Sequence, residues 1–589
     1  MTIIEDIAAA TISFLKDSYD FNAELNNIQI DQTRKEFSGD YTLVVFPFVK
    51  ALRMKPEDAG SSIGEYLVLN IDAVESFNVI KGFLNLSLSD AYWTQELVRI
   101  SADSNWLTAS TSKDLVLVEY SSPNTNKPLH LGHLRNNFLG HSVSLIKGFD
   151  GNKVVKTQII NDRGIHICKS MFAWKMHGKG ETPESSGLKG DKLVGKYYVM
   201  FDEHYRAQIN KLVKDGMEEE QAKKEAHLMK KVQEMLLDWE NGDPETVALW
   251  KMMNSWVYEG FNKTYTRMGV EFDKLYYESE TYLKGKNIVQ DGLSKGLFFK
   301  KDNESVWIDL EPDGLDQKLL IRTDGTTVYM TQDIGTAVQR YEDYPELKQV
   351  VYTVGDEQDY HFKVLFLILE KLGYEWAPSC RHLSYGMVDL PSGKMKSREG
   401  IVVDADDLMD EVVEAARASS EEKGKLDDMS EAEQKELFEI LGVGALKFYL
   451  LRVDPRKRMM FDPTESVSLN GDTGPFVQYT YARCKAVLRK AGDYSIGNEV
   501  ELVEKERQLL RNLLEFRNTV SLAADEMNPA TISNYCIEIA KTYNQFYHDN
   551  QILKADESLK GFRLALTALT AETIKTAMGL LGIRVPERM

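Results

Sequence analysis

A repeated order of strand, polar loop and helix constrains the fold of this chain more than any other feature. Leu115–Glu119 is a short apolar run typical of a buried parallel strand, and a loop rich in Pro, Asn and Ser follows at residues 121–128 before a helix begins near His130. The order recurs at residues 154–160, with the next helix at residues 165–175. Strands that alternate with helices in this way predict an α/β fold built on a doubly wound, Rossmann-like parallel sheet.

The regions beyond this repeat complete the predicted architecture. Residues 180–265 are rich in Lys, Glu and Met and predict a mainly helical insertion, after which strand-loop-helix units return at residues 328–340, 349–372 and 383–419. From about residue 430 onward no run is typical of a strand. The helical runs there, which predict an all-α region, lie at residues 431–451, 478–491, 503–527, 530–549 and 564–581.

The first 110 residues predict a small α+β unit. An amphipathic helix is expected near residues 4–17, strands at residues 41–48 and 83–88, and a helix at residues 55–67 with Pro56 in its first turn. A polar stretch at residues 101–114 predicts a linker. We therefore expect an N-terminal domain at 1–110, a nucleotide-binding domain with its insertion at 111–430, and a helical domain at 431–589.

Charge and cysteine usage narrow the class of protein. The net charge of −20 excludes a broadly basic, non-specific nucleic-acid binder, but it does not exclude an enzyme that selects one RNA. No stretch approaches the roughly 20 apolar residues of a membrane span, and the acidic start lacks the pattern of a secretory signal, so we expect a cytoplasmic protein without membrane contact. Four widely spaced cysteines predict neither a disulfide framework nor a protein metal site.

The loop after the first predicted strand gathers residues suited to a nucleotide. His130 and His133 lie three apart on the first helical turn and share one face, while Gly132 leaves room for a flat base or ribose. The helix N-terminus adds positive potential for phosphate, and imidazoles donate to phosphate oxygens as charge develops. Two simpler interpretations are surface histidines at a helix start and a metal site, although no third ligand stands at a recognisable spacing.

The longer run from Val118 to His133 resembles the first signature of the class I aminoacyl-tRNA synthetases, whose His-Ile-Gly-His is His-Leu-Gly-His here. The second signature of that class, Lys-Met-Ser-Lys-Ser, is similar to the run from Lys394 to Gly400, which follows the strand-like residues 383–388. Taken alone, this second run is also typical of a flexible basic surface turn. The order and position of both runs match the class.

One departure from the class signature points to a particular family. Ser397 stands where the second Lys is expected, and arginyl-tRNA synthetases commonly lack that Lys and carry a substitute just before the first signature, where Lys127 lies. The resemblance implies that Lys127 and Lys394 stabilise departing pyrophosphate, with Lys396 or Arg398 as helpers. The further ATP-binding residues that it implies are Leu131, Gly355, Asp356, Met387, Val388, Met395, Lys396, Ser397 and Arg398, beside catalytic His130, Gly132 and His133.

The substrate arginine requires acidic groups, because a guanidinium pairs with carboxylates in a flat, two-pronged geometry. By resemblance, Glu119 and Asn124 would hold the amino and backbone end of arginine. Tyr329 and Asp333 would bind its guanidinium, with Gln358 in support. Asp333 follows a predicted strand at residues 328–332, and its simpler role is to cap the helix predicted after it.

A third run, residues 472–483, opens the helical C-terminal region and also resembles arginyl-tRNA synthetases. In RNA recognition, basic side chains bind phosphates and aromatic rings stack on unpaired bases, and this region contains both kinds of residue. The alternative is a solvated helix with core aromatics, which we favour for Phe476 and Tyr481. The predicted tRNA-binding residues are Arg452, Tyr479, Arg483, Lys485 and Arg489.

The resemblance covers nearly the whole chain and implies an activity. It implies ATP-dependent ligation of L-arginine to its cognate tRNA through arginyl-adenylate, with release of AMP and pyrophosphate, and with Mg²⁺ accompanying ATP. The family's N-terminal domain contacts the tRNA elbow and its helical domain binds the anticodon, and we expect a monomer. Two rivals are a small-molecule adenylyltransferase, which needs no RNA-binding tail, and a non-catalytic RNA-binding relative, which would have lost the histidines or Lys394.

Overall fold

The structure is a computed structural model that describes residues 3–34, 36–110, 113–389, 403–422, 429–497 and 500–589. Its residues divide into two units. The first unit holds Met1–Leu107, Cys484–Leu514 and Lys541–Glu572. The second unit holds Thr108–Arg483, Glu515–Ala540 and Thr573–Met589.

The N-terminal part of the first unit is α+β, as predicted. It contains an antiparallel sheet of strand order β1-β2-β4-β3, and helices precede, interrupt and follow these strands in the sequence. The elements are α1 (Ile3–Tyr19), β1 (Ile30–Gln32), β2 (Tyr41–Val44), α2 (Phe46–Leu52), α3 (Pro56–Asn70), β3 (Val74–Ile80), β4 (Phe83–Leu88) and α4 (Asp90–Ala102). The strand predicted at 41–48 is wrong in its second half, because Pro47 cannot donate to a strand ladder and instead occupies the first turn of α2.

The second unit contains the predicted parallel sheet. Its five strands have the order β12-β11-β5-β6-β7, and every neighbouring pair is parallel. The first elements are β5 (Leu115–Glu119), α5 (Leu131–Phe149), β6 (Lys153–Ile160) and α6 (Ile165–His177). The chain runs outward from β5 to β6 and β7, and the later strands β11 and β12 lie on the other side of β5. The strand order therefore reverses between β5 and β11, which is where ligands bind in sheets of this kind.

The predicted insertion is helical in the structure. It consists of α7 (Pro183–Ser186), α8 (Gly190–Lys214), α9 (Glu219–Glu225), α10 (His227–Glu240) and α11 (Pro244–Met268). The chain then returns through β7 (Lys274–Tyr277), α12 (Glu278–Ser294) and a small antiparallel sheet of β8 (Phe299–Lys300), β9 (Val306–Ile308) and β10 (Lys318–Ile321).

One of the elements that follow the small sheet differs from the prediction. These elements are α13 (Tyr329–Asp343), β11 (Leu347–Gly355), α14 (Asp359–Lys371), β12 (Cys380–Tyr385), β13 (Val388–Asp389) and α15 (Ala405–Glu421). The strand predicted at 328–332 is wrong, because the helix begins at Tyr329 with Val328 as its N-cap. Buried Ile334, Ala337 and Val338 recur at helical spacing and pack against the sheet, and this packing outweighs the strand propensity of the preceding residues.

In the part of residues 429–589 that the structure describes, the elements are helices apart from one short strand. They are α16 (Glu431–Leu451), β14 (Met459–Met460), α17 (Pro463–Ser466), α18 (Gly474–Ala491), α19 (Glu504–Leu514), α20 (Phe516–Glu526), α21 (Pro529–Asp549) and α22 (Glu557–Leu580). The expectation of no strand after residue 430 is wrong at β14, which pairs with β13 and is too short to show a period. The helix predicted at 503–527 is interrupted at Glu515, whose ψ of −1° departs from the helical value.

A buried ion pair joins distant parts of the first unit. A guanidinium nitrogen of Arg511 in α19 lies 3.0 Å from a carboxylate oxygen of Asp40, just before β2, and both side chains are almost fully buried. Asp40 also accepts a hydrogen bond of 2.8 Å from the amide of Leu88. Burial raises the pKa of Asp40, and Arg511 opposes that shift. Such a pair is costly to break, because each charge is left without solvent or partner.

We expect Asp40→Asn to lower the free energy of unfolding of the first unit by about 3 kcal/mol, since Arg511 then keeps a buried charge with a weaker partner. Urea denaturation followed by circular dichroism measures this change. The matched control is Glu557→Gln, which breaks an exposed pair with Lys560 at 3.3 Å and should shift stability by less than about 0.5 kcal/mol. Equal shifts in the two variants would contradict the assignment.

Candidate active site

The carboxyl ends of the five parallel strands bring the candidate residues to one edge of the sheet. Glu119 ends β5, Gly355 ends β11 and Tyr385 ends β12. The register pairs Gly355 with Tyr385, so the loops after these two strands start side by side. The candidate site therefore lies at the point where the strand order reverses.

His130 and His133 form a contacting pair at the start of α5. His130 is the N-cap residue, and its backbone amide donates to Nδ1 of His133 at 3.1 Å, with ring centroids 4.0 Å apart. Because Nδ1 of His133 accepts this bond, the neutral ring carries its proton on Nε2. Burial, together with the charge of Lys127, lowers the pKa of His130 to about 3, and burial holds the pKa of His133 well below its usual value. Both rings are neutral hydrogen-bond donors at physiological pH.

Gly132 and the following backbone shape this pair. A Cβ atom at Gly132 would lie 3.2 Å from Cε1 of His130, so a larger residue would crowd the His130 ring. Nδ1 of His130 is buried and has no hydrogen-bond partner among the described residues. The orientation of the His130 ring therefore depends on the backbone that carries it and on its contact with the His133 ring. Leu131, the first residue of α5, is buried in the core.

The backbone around His130 pairs with the segment that precedes α15. The amide of Leu131 donates to the carbonyl of Val403 at 3.3 Å, and the amide of Ala405 donates to the carbonyl of Leu129 at 2.9 Å. His130 and Asp404 form an antiparallel bridge between these bonds. The residues that follow the second signature thus lie beside the first signature. The predicted residues Lys394, Met395, Lys396, Ser397 and Arg398 lie outside the described residues.

A cavity of about 260 Å³ opens beside His130. The wall on the side of the parallel sheet includes half-buried Lys127, and the opposite wall comes from α8 of the insertion. The lining residues are Lys127, Pro128, Leu129, His130, Lys192, Gly195, Lys196, Tyr198, Val199 and Asp404. Apolar surfaces with ammonium groups beside them suit a ligand that has both a flat ring and phosphate.

Two residues of α5 that the sequence did not single out hold the strand ends together. Nδ2 of Asn136 donates to the carbonyl of Thr353 at 2.6 Å, and its Oδ1 accepts from the amide of Ser121 at 2.6 Å. Arg135 is buried and donates to the carbonyls of Gly386 and Lys457 at 2.6 and 2.9 Å. Both residues are buried in α5, the helix that begins within the first signature. Their position directly after that signature was the signal available in the sequence.

The predicted adenosine contacts lie on the strand ends fixed in this way. Gly355 and Asp356 are half-buried at the end of β11, and Met387 is half-buried just before buried Val388 in β13. A Cβ atom at Gly355 would lie 4.0 Å from Sδ of Met387, so the structure brings these two predictions together. They border the same edge of the sheet as His130.

Tyr329 and Asp333 lie in the first two turns of α13, where a spacing of four residues puts them on one face. Tyr329 is 71% exposed, and the Asp333 side chain is 39% exposed. Asp333 does not cap the helix, because Val328 occupies that position. Oδ2 of Asp333 lies 2.6 Å from Nε2 of His361, a residue that sequence reasoning missed although it follows Gln358 closely.

Glu278 is a second acid that sequence reasoning missed. It is the first residue of α12, directly after β7, and it is buried. Burial raises its pKa to about 7, the charges of Asp162 and Asp333 add to that rise, and a hydrogen bond from Gln332 and the charge of Arg163 oppose it. Its position immediately after a strand was the available signal. Glu278 therefore faces the residues beside Asp333 as a weakly acidic carboxyl group.

Asp162 fixes the start of the helix that bears Glu278. Its carboxylate accepts from the amide and the hydroxyl of Ser279 at 2.9 and 2.7 Å, and from the hydroxyl of Tyr258 at 3.0 Å. Burial raises the pKa of Asp162, while these hydrogen bonds oppose the rise. Arg163, beside it, stacks on Tyr282 at 3.9 Å. The run that follows β6 is therefore a scaffold for α12.

Glu119 has a partner within the chain. Its carboxylate contacts the guanidinium of Arg340 in α13, and both side chains are buried. The predicted contact of Glu119 with the amino group of arginine stays a prediction. Asn124 is exposed and forms a parallel bridge with Asn161, and Gln358 is exposed after β11.

The residues predicted to bind tRNA lie around α18. The guanidinium of Arg452 donates to the carbonyl of Asp472 at 2.6 Å. The guanidinium of Arg483 lies 4.8 Å from the ring centroid of Tyr479. Lys485 is half-buried and Arg489 is exposed on the same helix. Tyr481 is buried in the core, as favoured above, whereas Phe476 is half-buried.

Two kinds of feature are absent from the described residues. No group of three or more His, Cys, Asp or Glu side chains there is arranged to hold a metal ion. No described helix combines the length and the apolar character that a membrane crossing requires.

Comparisons with known proteins identify the family. The model of the class I (R) tRNA synthetase catalytic domain matches residues 96–462, that of the arginyl tRNA synthetase N terminal domain matches 1–88, and that of the DALR anticodon binding domain matches 477–589. The arginine–tRNA ligases of Bacteroides fragilis and Flavobacterium psychrophilum are each 54% identical, over 100% and 97% of both chains. The solved arginyl-tRNA synthetase of Thermus thermophilus covers 100% of both chains with a TM-score of 0.79 at 25% identity. This chain belongs to the arginyl-tRNA synthetase family.

Proposed function

We propose that this chain joins L-arginine and ATP into arginyl-adenylate at the carboxyl edge of its parallel sheet and then transfers arginine to its tRNA. Charging of tRNA with arginine is the function of the family to which the chain belongs. The observation that carries the proposal is the acidic group formed by Asp333 and buried Glu278, at the same sheet edge as the neutral pair His130 and His133. The site thus has acidic groups that can bind a cationic side chain and hydrogen-bond donors that can bind a polyanionic nucleotide.

The proposed chemistry needs no covalent enzyme nucleophile. The carboxylate of arginine attacks the α-phosphorus of ATP, the bond to pyrophosphate breaks, and the enzyme contributes positioning and charge stabilisation. His130 and His133 would donate to phosphate oxygens without adding a charge, with help from the N-terminus of α5. Lys127 and Lys394 would accompany the leaving pyrophosphate. Mg²⁺ would arrive with ATP, bound mostly by phosphate oxygens and water.

The proposed arginine site uses residues from the starts of α12 and α13, from the segment before α14, and from β5 and the loop after it. Asp333 and Glu278 would pair with the guanidinium, and the exposed ring of Tyr329 would cover it. Gln358 would support this end of the substrate. Asn124 and Glu119 would hold the amino and backbone end, although Glu119 shares its carboxylate with Arg340.

The proposed RNA contacts use both ends of the chain, with the N-terminal domain at the tRNA elbow and the helical region at the anticodon. Exposed Phe46 and Phe83 contact edge to face in the first unit, with centroids 5.6 Å apart, and offer rings on which an unpaired base can stack. The match of residues 477–589 to an anticodon binding domain supports the helical assignment. An adenylyltransferase without an RNA substrate has no use for these parts.

We propose that the chain acts as a monomer.

Aminoacylation of total tRNA with each labelled amino acid in turn tests the function. We expect acid-precipitable label with arginine alone, dependent on ATP. Charging with another amino acid would contradict the arginine site. ATP–pyrophosphate exchange without any charging would favour the adenylyltransferase.

We expect Asp333→Ala to raise the KM for arginine about 100-fold and to leave the KM for ATP within twofold, because a charged partner of the guanidinium is lost at roughly 2–5 kcal/mol. Steady-state aminoacylation at varied arginine and varied ATP measures both constants. The matched control is Asp343→Asn at the far end of α13, where the carboxylate accepts from the hydroxyl of Tyr276 at 2.9 Å. An unchanged arginine KM in Asp333→Ala would refute the assignment.

The raised pKa of Glu278 predicts a pH dependence. The carboxyl group is ionised above its pKa of about 7, and only the ionised form attracts the guanidinium. We therefore expect kcat/KM for arginine to rise about tenfold per pH unit up to pH 7 and then to level off. Glu278→Gln should lower the plateau and remove this limb. A limb that persists unchanged in Glu278→Gln would assign it to another group.

A further inference from the structure

A network of charges joins the start of the insertion helix α8 to the start of α15. Two lysines contribute from the first side, Lys189 just before α8 and Lys192 in its first turn. Three aspartates contribute from the second side, namely Asp404, Asp406 and Asp407. The network lies within the second unit, and two of its members, Lys192 and Asp404, line the cavity beside His130.

Lys189 is the more buried of the two lysines in this network. Its ammonium group contacts the carboxylate of Asp406, lies 3.2 Å from Asp191 and donates to the hydroxyl of Thr264 at 2.5 Å. Asp191 is fully buried, and burial raises its pKa to about 6, against which Lys189 acts. A Cβ atom at Gly260 would collide with the Asp191 carboxylate, so α11 packs tightly on this point. The position of Lys189 is therefore fixed by the insertion.

Lys192 and the cap of α15 add a second link. Nζ of Lys192 lies 2.8 Å from Asp407 and 3.5 Å from Asp404. Asp404 is the N-cap of α15, and its carboxylate accepts from the amide of Asp406 at 2.8 Å. The same carboxylate thus closes the helix start and contacts the lysine of α8. Movement of α8 would displace the first turn of α15.

The first turn of α15 in turn sets the backbone at His130. Asp404 bridges His130 directly, between the hydrogen bonds that join Leu131 to Val403 and Ala405 to Leu129. His130 has no hydrogen bond at its buried Nδ1 among the described residues, so its ring is positioned by the backbone on each side and by the contact with the His133 ring. A displacement of about 1 Å at a positioned group can cost up to about 100-fold in rate.

We propose that Lys189 and Asp406 are positioning residues for His130, through which the helical insertion becomes part of the ATP site. The inference rests on the proposed role of His130 at the phosphates. Neither residue lines the cavity beside His130, and each acts through the backbone of Asp404. The insertion is then more than an added surface, because a change in the position of α8 reaches the reacting phosphate.

The chain contains a matched comparison on the same helix. Asp410 lies one turn after Asp406 in α15 and pairs with Arg267 at 2.6 Å. That pair also links α15 to the end of α11, but it is farther along the helix from the bridge to His130. Asp406→Asn and Asp410→Asn therefore remove the same charge from the same helix and differ in their distance from the bridge.

The experiment measures arginine-dependent ATP–pyrophosphate exchange in the presence of tRNA, with melting temperatures, for the full chain and four variants. We expect Asp406→Asn and Lys189→Met to lower kcat about tenfold with the KM for arginine within twofold. Lys189→Arg should recover kcat to within threefold, and Asp410→Asn should stay within twofold of the unchanged chain. If Lys189→Met does not fold, the contrast between Asp406→Asn and Asp410→Asn decides alone.

Equal kcat in Asp406→Asn and Asp410→Asn, or a kcat that falls only with the folded fraction, would overturn the positioning role. A rise in the KM for arginine equal to the fall in kcat would also overturn it. Failure of the proposed function has a different signature, because the unchanged chain would then show no arginine-dependent exchange. Exchange by the unchanged chain with full activity in Asp406→Asn would refute only the coupling.

Discussion

The buried pair of Glu119 and Arg340 is the contact on which the arginine side of the site depends. Two buried charges lose their hydration, and the loss is offset only when each finds a well-placed partner. Arg340 also lies 5.6 and 5.0 Å from the ring centroids of Tyr276 and Tyr352, which hold its flat guanidinium from other directions. Because Arg340 stands on α13, the pair ties that helix to the end of β5. The turns of α13 that carry Asp333 are placed as a result. The guanidinium of Arg340 thus positions the carboxylate that is proposed to bind the guanidinium of the substrate arginine.

The phosphate side of the site differs from the arginine side, because its buried groups are neutral and not paired charges. His130 and His133 are neutral because burial penalises the imidazolium, and their mutual contact would make two charges repel. Each neutral ring already carries one N–H group, so it can donate a hydrogen bond without first taking up a proton from solvent. The cationic contribution is left to lysines such as half-buried Lys127, which keeps contact with water. This division lets the helix start pack tightly against Val403 while the charged groups remain at the rim of the cavity.

The sequence predicted those elements whose signal is local and missed those that long-range packing decides. β5 and α16 have the predicted bounds, because each is a strongly patterned run. The strand expected before Asp333 is a helix, since the contacts of Arg340 and the core below α13 are invisible in the local residues. Glu278 and His361 escaped notice for the same reason: each becomes part of a site only when β7 and β11 are placed in one sheet. The strand-to-helix turn at His130 could be predicted because its chemistry is contained in one loop.

The weak acidity of Glu278 has a consequence for the order of events in the site. If Glu278, which is buried, and Asp333, which is partly exposed, were both fully ionised, two like charges would lie near each other and would oppose the approach of ATP. A carboxyl group with a pKa of about 7 shares its proton with solvent near neutral pH and therefore carries a reduced charge while the site is empty. Arrival of a guanidinium favours the ionised form, so the second negative charge develops together with the cation that neutralises it. The acidic site thus becomes fully charged only when its charge is matched, and burial of Glu278 is what makes that possible.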